Sequence, residues 1–213
     1  GVDWDLPDAW QQKVLEGIAD RLQRVRSFKL FMDICGRCGA CADKFHFYIG
    51  SGDPKNMPVL RAELLRSIYR KDFTAMGKIL GSVAPGAIGA REMTVDVLKE
   101  WYYYFFQCTE CRRCSVFCPY GIDTAEITQM ARELMLLVGL TINWIIEPVA
   151  NCNRTGNHLG LQPHTFVDNL EFMVEELEDT VGIKPDVSFN RKGAEVLFIT
   201  PSADVFADPA IYV

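Results

Sequence analysis

Cys108-Thr-Glu-Cys111-Arg-Arg-Cys114-Ser-Val-Phe-Cys118-Pro119 reads C-x2-C-x2-C-x3-C-P. Three thiolates spaced by two residues on tight turns can each reach one iron of a single cubane. The next turn carries the fourth cysteine away, to ligate a different cluster. Structural zinc takes four ligands, usually as two pairs. It accounts neither for the odd third thiol nor for the displaced fourth one and its proline. The stretch therefore points to [4Fe–4S] chemistry over a zinc-stabilised interaction domain.

A second run, Cys35-Gly-Arg-Cys38-Gly-Ala-Cys41-Ala-Asp-Lys-Phe45-His46, repeats the spacing until its fourth position, where Phe45 stands in place of cysteine. Crossed ligation then assigns Cys35, Cys38, Cys41 and Cys118 to cluster I. Cluster II receives Cys108, Cys111 and Cys114, and its fourth ligand is missing because a phenyl ring cannot bind iron. Two outcomes stay open: a [3Fe–4S] form, or a cubane completed by His46 or by Cys152, the eighth cysteine. Sixty-six residues separate Cys41 from Cys108, more than a minimal two-cluster protein uses, and they read as helical. The expected fold class is mainly α, a helical ferredoxin-like domain with two cluster motifs.

Composition narrows the partners. The 213 residues are 49% hydrophobic and 23% charged, as in a soluble globular chain. A net charge of −6 argues against nucleic acid, whose binders carry a basic surplus. No apolar stretch reaches the roughly 18 residues of a membrane span. Residues 1–20 are acidic and amphipathic, without the apolar run of a signal peptide. The cytosol is the expected compartment, and its thiols stay reduced.

Hydrophobic periodicity predicts a helix over 8–26, with Trp10, Val14, Ile18, Leu22 and Val25 on one face. Breakers fill 50–58, and Pro58 suits a helix start. Residues 81–90 form another loop. Thr94 can cap a helix to about Phe106, with Val97, Leu98, Trp101 and Phe105 inward. The six aromatics of 101–106 serve as packing around a cluster or as a docking face. Arg112 and Arg113 either offset cluster charge or are merely solvated. Asp123 and Glu126 resemble a capping box, and Gly139 a helix stop. Residues 151–158 read as a polar loop around Cys152. His158 and His164 read as loop or cap residues. Thr165 and Asp168 suggest a second cap, and the acidic run 175–179 a solvated helix face. Residues 195–201 look like a buried parallel strand opening an α/β unit. The expected layout is an N-terminal helix (1–30), the two-cluster domain (31–140), a helical connector (141–190) and the first strand of an α/β domain (191–213) whose remainder lies further on.

The segments 33–44, 52–58, 108–124 and 154–160 (Arg-Thr-Gly-Asn-His-Leu-Gly) together resemble the DsrK family. These are iron–sulfur subunits of membrane-bound Dsr complexes, similar to the catalytic D-type component of heterodisulfide reductase. The resemblance spans nearly the whole chain. It implies two [4Fe–4S] clusters that pass electrons from a haem-containing membrane subunit, and peripheral attachment to the cytoplasmic face of the membrane. It also implies a C-terminal catalytic cluster in CCG motifs, which reduces a disulfide or trisulfide on a small sulfur carrier of the DsrC type. No CCG motif occurs in these 213 residues, so no catalytic residue is expected here. Phe45 departs from the family pattern. The alternative reading is the iron–sulfur subunit of a succinate- or glycerol-phosphate-dehydrogenase-type complex.

Overall fold

The structure, a computed structural model, describes residues 4–187 and 189–199. Among these it is helical, with no strand. The chain divides into two compact units with the boundary between Thr141 and Ile142.

The first unit contains eight helices: α1 (Trp10–Arg24), α2 (Arg26–Asp33), α3 (His46–Ser51), α4 (Pro58–Phe73), α5 (Ala75–Leu80), α6 (Val95–Phe106), α7 (Arg113–Val116) and α8 (Thr124–Leu136). Short 3₁₀ turns at Ala42–Lys44, Pro54–Asn56 and Pro85–Ile88 lie in the loops between them. Local chemistry sets most boundaries. Pro58 opens α4 at its first position, where no amide is needed. The Thr94 hydroxyl accepts the Val97 N–H at the head of α6, and the Asp123 carboxylate accepts Ala125 and Glu126 N–H at the head of α8. The chain turns at Gly139 with φ 82°, three residues beyond the end of α8.

The expected helix over 8–26 is two helices. Val25 takes an extended conformation, and the chain restarts as α2, which delivers Phe28, Phe31 and Met32 to the core. That core joins Val14 and Ile18 of α1, Leu64, Leu65 and Ile68 of α4, Leu98, Trp101 and Phe105 of α6, and Ile127, Leu134 and Met135 of α8. Helices α4, α6 and α8 pack on one another, and α1 and α2 lie against α8. Gly17 lets α1 approach closely: a Cβ there would stand 2.7 Å from the side chains of Leu134 and Leu137. The aromatic run is mainly core. Trp101 and Phe105 are fully buried and Tyr103 faces solvent. The Trp101 indole donates to the Leu64 carbonyl at 3.1 Å, which satisfies the buried N–H.

The second unit holds α9 (Asn143–Thr155) and α10 (Pro163–Val181). Residues 151–155, expected as loop, are the last turn of α9, and Asn151 is buried. Pro163 opens α10, so Thr165 sits inside the helix and its side chain caps nothing. A fixed proline φ at the first position outcompetes the hydroxyl cap expected two residues later. The acidic run is exposed, except for the half-buried Leu177 within it. Residues 195–199 form no strand and are exposed. A parallel strand exists only against a neighbour in a sheet, and none is present among the described residues. Residues 200 and 201 of that expected strand lie outside them.

Candidate iron–sulfur site

The two cysteine motifs repeat a backbone conformation. Arg37 and Glu110, each just before its motif's second cysteine, are left-handed with φ 52° and 55°; Gly39 and Arg112, just after that cysteine, have φ 78° and 57°. Left-handed backbone disfavours side-chain-bearing residues by roughly 1–2 kcal/mol each, so neighbouring contacts must impose it.

Those contacts come from a helix further along the chain, α4 for the first motif and α8 for the second. Behind the first, Arg66 of α4 donates from Nε to the Met32 carbonyl (3.1 Å) and from Nη2 to the Phe31 carbonyl (3.2 Å). These carbonyls belong to the last turn of α2. Glu63 of α4 pairs with Arg37 of the loop at 2.9 Å, with Arg70 at 2.6 Å, and with Arg66. Burial raises the Glu63 carboxyl, but the hydrogen bonds from Arg66 and Arg70 outweigh it and leave the group below its ordinary value. The Tyr69 hydroxyl donates to Asp33 at 2.8 Å.

Behind the second motif, Arg132 of α8 takes the corresponding role. It donates to the Phe105 carbonyl (2.8 Å) and to the Cys108 carbonyl, and pairs with Glu110 at 2.8 Å. Gln129 donates to the other Glu110 oxygen at 2.9 Å. Arg112 pairs with Asp123 at 3.3 Å, the residue that caps α8 and accepts the Ser115 hydroxyl at 2.9 Å. Arg112 is therefore engaged by its own loop, while Arg113 is exposed.

All eight cysteines are free thiols. Cys35, Cys38 and Cys41 line one pocket, and Cys118 of the other motif lines it with them, beside Val59, Tyr120 and Ile122. Burial pushes the Cys41 thiol up to about 11, opposed by a hydrogen bond from the backbone of Val59. In the second motif Cys108 and Cys114 are buried and Cys111 is exposed. The Glu110 N–H donates to the Cys108 sulfur at 3.4 Å. Burial raises the Cys114 thiol, opposed by hydrogen bonds with the Thr124 and Ser115 side chains and by the Arg61 charge. Among the described residues, no three His, Cys, Asp or Glu side chains gather closely enough to hold one metal ion.

Position 45 is closed. Phe45 is 2% exposed, and the Arg61 guanidinium carbon lies 4.4 Å from its ring centroid. Arg61 is fully buried, and among the described residues nothing accepts a hydrogen bond from its Nε, Nη1 or Nη2. Burial pulls the guanidinium below its ordinary value; the charges of Cys108 and Cys114 act most strongly to raise it. An arginine stays charged in proteins, and an unpaired buried charge is costly. A thiolate-bound inorganic anion beside Cys108 and Cys114 would supply the missing counter-charge, so these residues fit an iron–sulfur group. His46 starts α3 and is exposed, its ring 5.0 Å from that of Phe45. Cys152 lies on α9 of the second unit and is exposed; His164 is in the first turn of α10.

Arg61, Glu63, Arg66 and Arg132 are not singled out by the motifs. A signal existed: Arg61 and Arg66 interrupt the apolar pattern of 58–69, and a charge at an inward position needs a partner.

Residues 31–122 match the 4Fe-4S dicluster domain family. The chain is 54% identical over 211 residues, 99% of its length, to the Hdr-like menaquinol oxidoreductase iron-sulfur subunit 2 of Archaeoglobus fulgidus. It is 51% identical over 210 residues to the Hdr-like menaquinol oxidoreductase iron-sulfur subunit of Archaeoglobus profundus. In both cases it spans 37% of the relative's length. It is also 25% identical over 170 residues, 79% of the chain and 36% of the relative, to the D-type component of the dihydromethanophenazine:CoB–CoM heterodisulfide reductase of Methanosarcina mazei. No solved structure matches the chain. The expected kinship with the D-type component of heterodisulfide reductase is borne out: this chain, whose residues 31–122 match the 4Fe-4S dicluster domain family, is a homologue of the iron–sulfur subunits of Hdr-like menaquinol oxidoreductases.

Proposed function

We propose that this chain is the electron-relay portion of an Hdr-like oxidoreductase subunit. The convergence of Cys35, Cys38, Cys41 and Cys118 on one pocket carries the reading, because crossed sharing of the fourth thiol is how paired four-cysteine runs hold two clusters. In this reading those four thiolates hold a [4Fe–4S] cluster. Cys108, Cys111 and Cys114 hold the second, and with Phe45 packed at the fourth corner it is of the [3Fe–4S] type. Bound there, such groups accept and pass single electrons. The chain's own residues fix the thiolates, exclude water through the aromatic core, and set potential through N–H···S contacts and nearby charge.

The relatives' names support quinol as the origin of the electrons. The relay then runs from a haem-containing membrane subunit to a disulfide- or trisulfide-reducing centre elsewhere in the full-length protein, with a DsrC-type protein as sulfur carrier. No described helix is long and apolar enough to cross a membrane, which fits peripheral attachment at the cytoplasmic face through partner subunits. Anaerobic EPR of the intact subunit, with iron and acid-labile sulfide counted, tests the proposal. Two distinct cluster signals are expected; a colourless protein with stoichiometric zinc would overturn it.

A further inference from the structure

Arg66 and Arg132, the two clamping arginines, stand at corresponding places behind the two motifs, and both are ion-paired. Arg61 lies five residues before Arg66, and the same step back from Arg132 meets Ile127. Ile127 is fully buried, as is Arg61. One half of the repeat thus places an isoleucine where the other places a guanidinium with no acceptor among the described residues. The Phe45 ring beneath it contributes a cation–π contact, which supplies no hydrogen-bond acceptor to a buried charge. Cys108 and Cys114, both second-motif thiols, are the groups whose charge raises it most, with Cys41 of the first motif acting less. In the first motif's pocket, Arg37 and Arg66 also contribute charge, but Glu63 pairs with both. Among the described residues Arg61 has no such carboxylate.

We propose that Arg61 is the built-in counter-charge of the cluster held by Cys108, Cys111 and Cys114, occupying with Phe45 the corner where the motif lacks its fourth thiolate. The inference rests on the ligand assignment proposed above and adds a role for a residue outside both motifs. Reduction adds negative charge to a cluster. A fixed buried cation stabilises the reduced form and raises the potential of this cluster relative to its neighbour. Arg61 is a positioning and tuning residue; it binds no iron.

The test is a mediated redox titration, followed by EPR, of the intact subunit purified anaerobically. Arg61→Met removes donors and charge; Arg61→Gln keeps donors and removes charge. Each should lower the reduced-to-oxidised ratio of the second cluster about tenfold at fixed poise, a shift of about 59 mV for one electron. The signal of the Cys35–Cys38–Cys41–Cys118 cluster should stay in place, and Arg61→Lys should recover most of the loss. Unchanged second-cluster potentials in both neutral variants overturn the role of Arg61 and leave the ligand assignment standing. A second signal that survives Cys111→Ser unaltered, or is missing from the unmodified protein, overturns the assignment and the inference together. Should the neutral variants fail to fold, ¹⁵N-arginine labelling of the unmodified protein decides. A ¹⁵N coupling in the pulsed EPR of the second cluster, lost in Arg61→Lys, supports the contact; no coupling overturns it.

Discussion

The first and second cysteine motifs share a backbone and differ in what surrounds their fourth positions. Both wind through left-handed residues at matching places, and both are held from behind by an arginine that collects carbonyls, Phe31 and Met32 of α2 for the first and Phe105 of α6 with Cys108 for the second. Both anchor the charged residue before the second cysteine, Arg37 to Glu63 and Glu110 to Arg132. Yet one run ends in Cys118 and the other in Phe45. The helix behind one presents Arg61 where the other presents Ile127. The backbone cradle therefore does not depend on the fourth thiolate. It is imposed by helix-borne side chains, so a ligand can be lost while the loop keeps its shape, and local charge must then change to match.

The sharpest way to break this comparison is to exchange ligands. Cys118→Ser in the intact subunit should abolish the first motif's [4Fe–4S] signal and leave that of the second motif, while Cys114→Ser should do the reverse; EPR with iron counting reads both. Were Cys118→Ser to remove the second signal instead, the crossed assignment would be wrong. Phe45→Cys should make the two motifs equivalent, converting a [3Fe–4S]-type signal of the oxidised protein into a [4Fe–4S] signal of the reduced one.

The clamps rank next. Arg66 is 3% exposed at its side chain, and Arg66→Met leaves the Phe31 and Met32 carbonyls without their donor while Glu63 keeps Arg37 and Arg70. The loss should be about 2–5 kcal/mol in denaturant titration. Arg132 is 25% exposed, so Arg132→Met should cost less, about 1–3 kcal/mol. Equal losses would mean that the two halves are clamped alike.

The smallest effect concerns Tyr69, which has no counterpart behind the second motif. Burial, with the Asp33 hydrogen bond, pushes its phenol from 10.0 up to about 12. A folded-state value above the unfolded one contributes stability that is complete below the ordinary value and disappears as pH rises through the folded one. Stability should therefore fall between pH 10.0 and about 12. Tyr69→Phe should reduce that slope and cost about 1 kcal/mol at neutral pH, both measurable by urea unfolding across the range.

Much of the fold was legible because its signals are local. Pro58, Thr94 and Asp123 mark helix starts by chemistry that acts within three residues. The inward faces of α6 and α8 follow from apolar spacing alone. The expected helix 8–26 failed at Val25, where nothing in the apolar periodicity announces a break. The cap expected at Thr165 failed because Pro163 acts earlier on the same turn. The strand expected at 195–201 rested on composition, and an apolar run becomes a strand only when a sheet neighbour pairs with it. The thiols were legible as well, and so was the gap at Phe45. Arg61 was not, since whether an inward arginine finds a partner depends on residues distant in the chain.

By itself the sequence determined the helical class, the two cysteine motifs and the phenylalanine at the fourth position of the first, because capping, periodicity and motif spacing all operate over a few residues. The tertiary structure decided that Cys118 joins Cys35, Cys38 and Cys41 at one pocket, that Arg66 and Arg132 impose the loop conformation, and that a buried guanidinium sits on Phe45. Those are long-range pairings. Coulombic and hydrogen-bonding partners separated by tens of residues meet only once the helices have packed, and burial then decides what each charge requires.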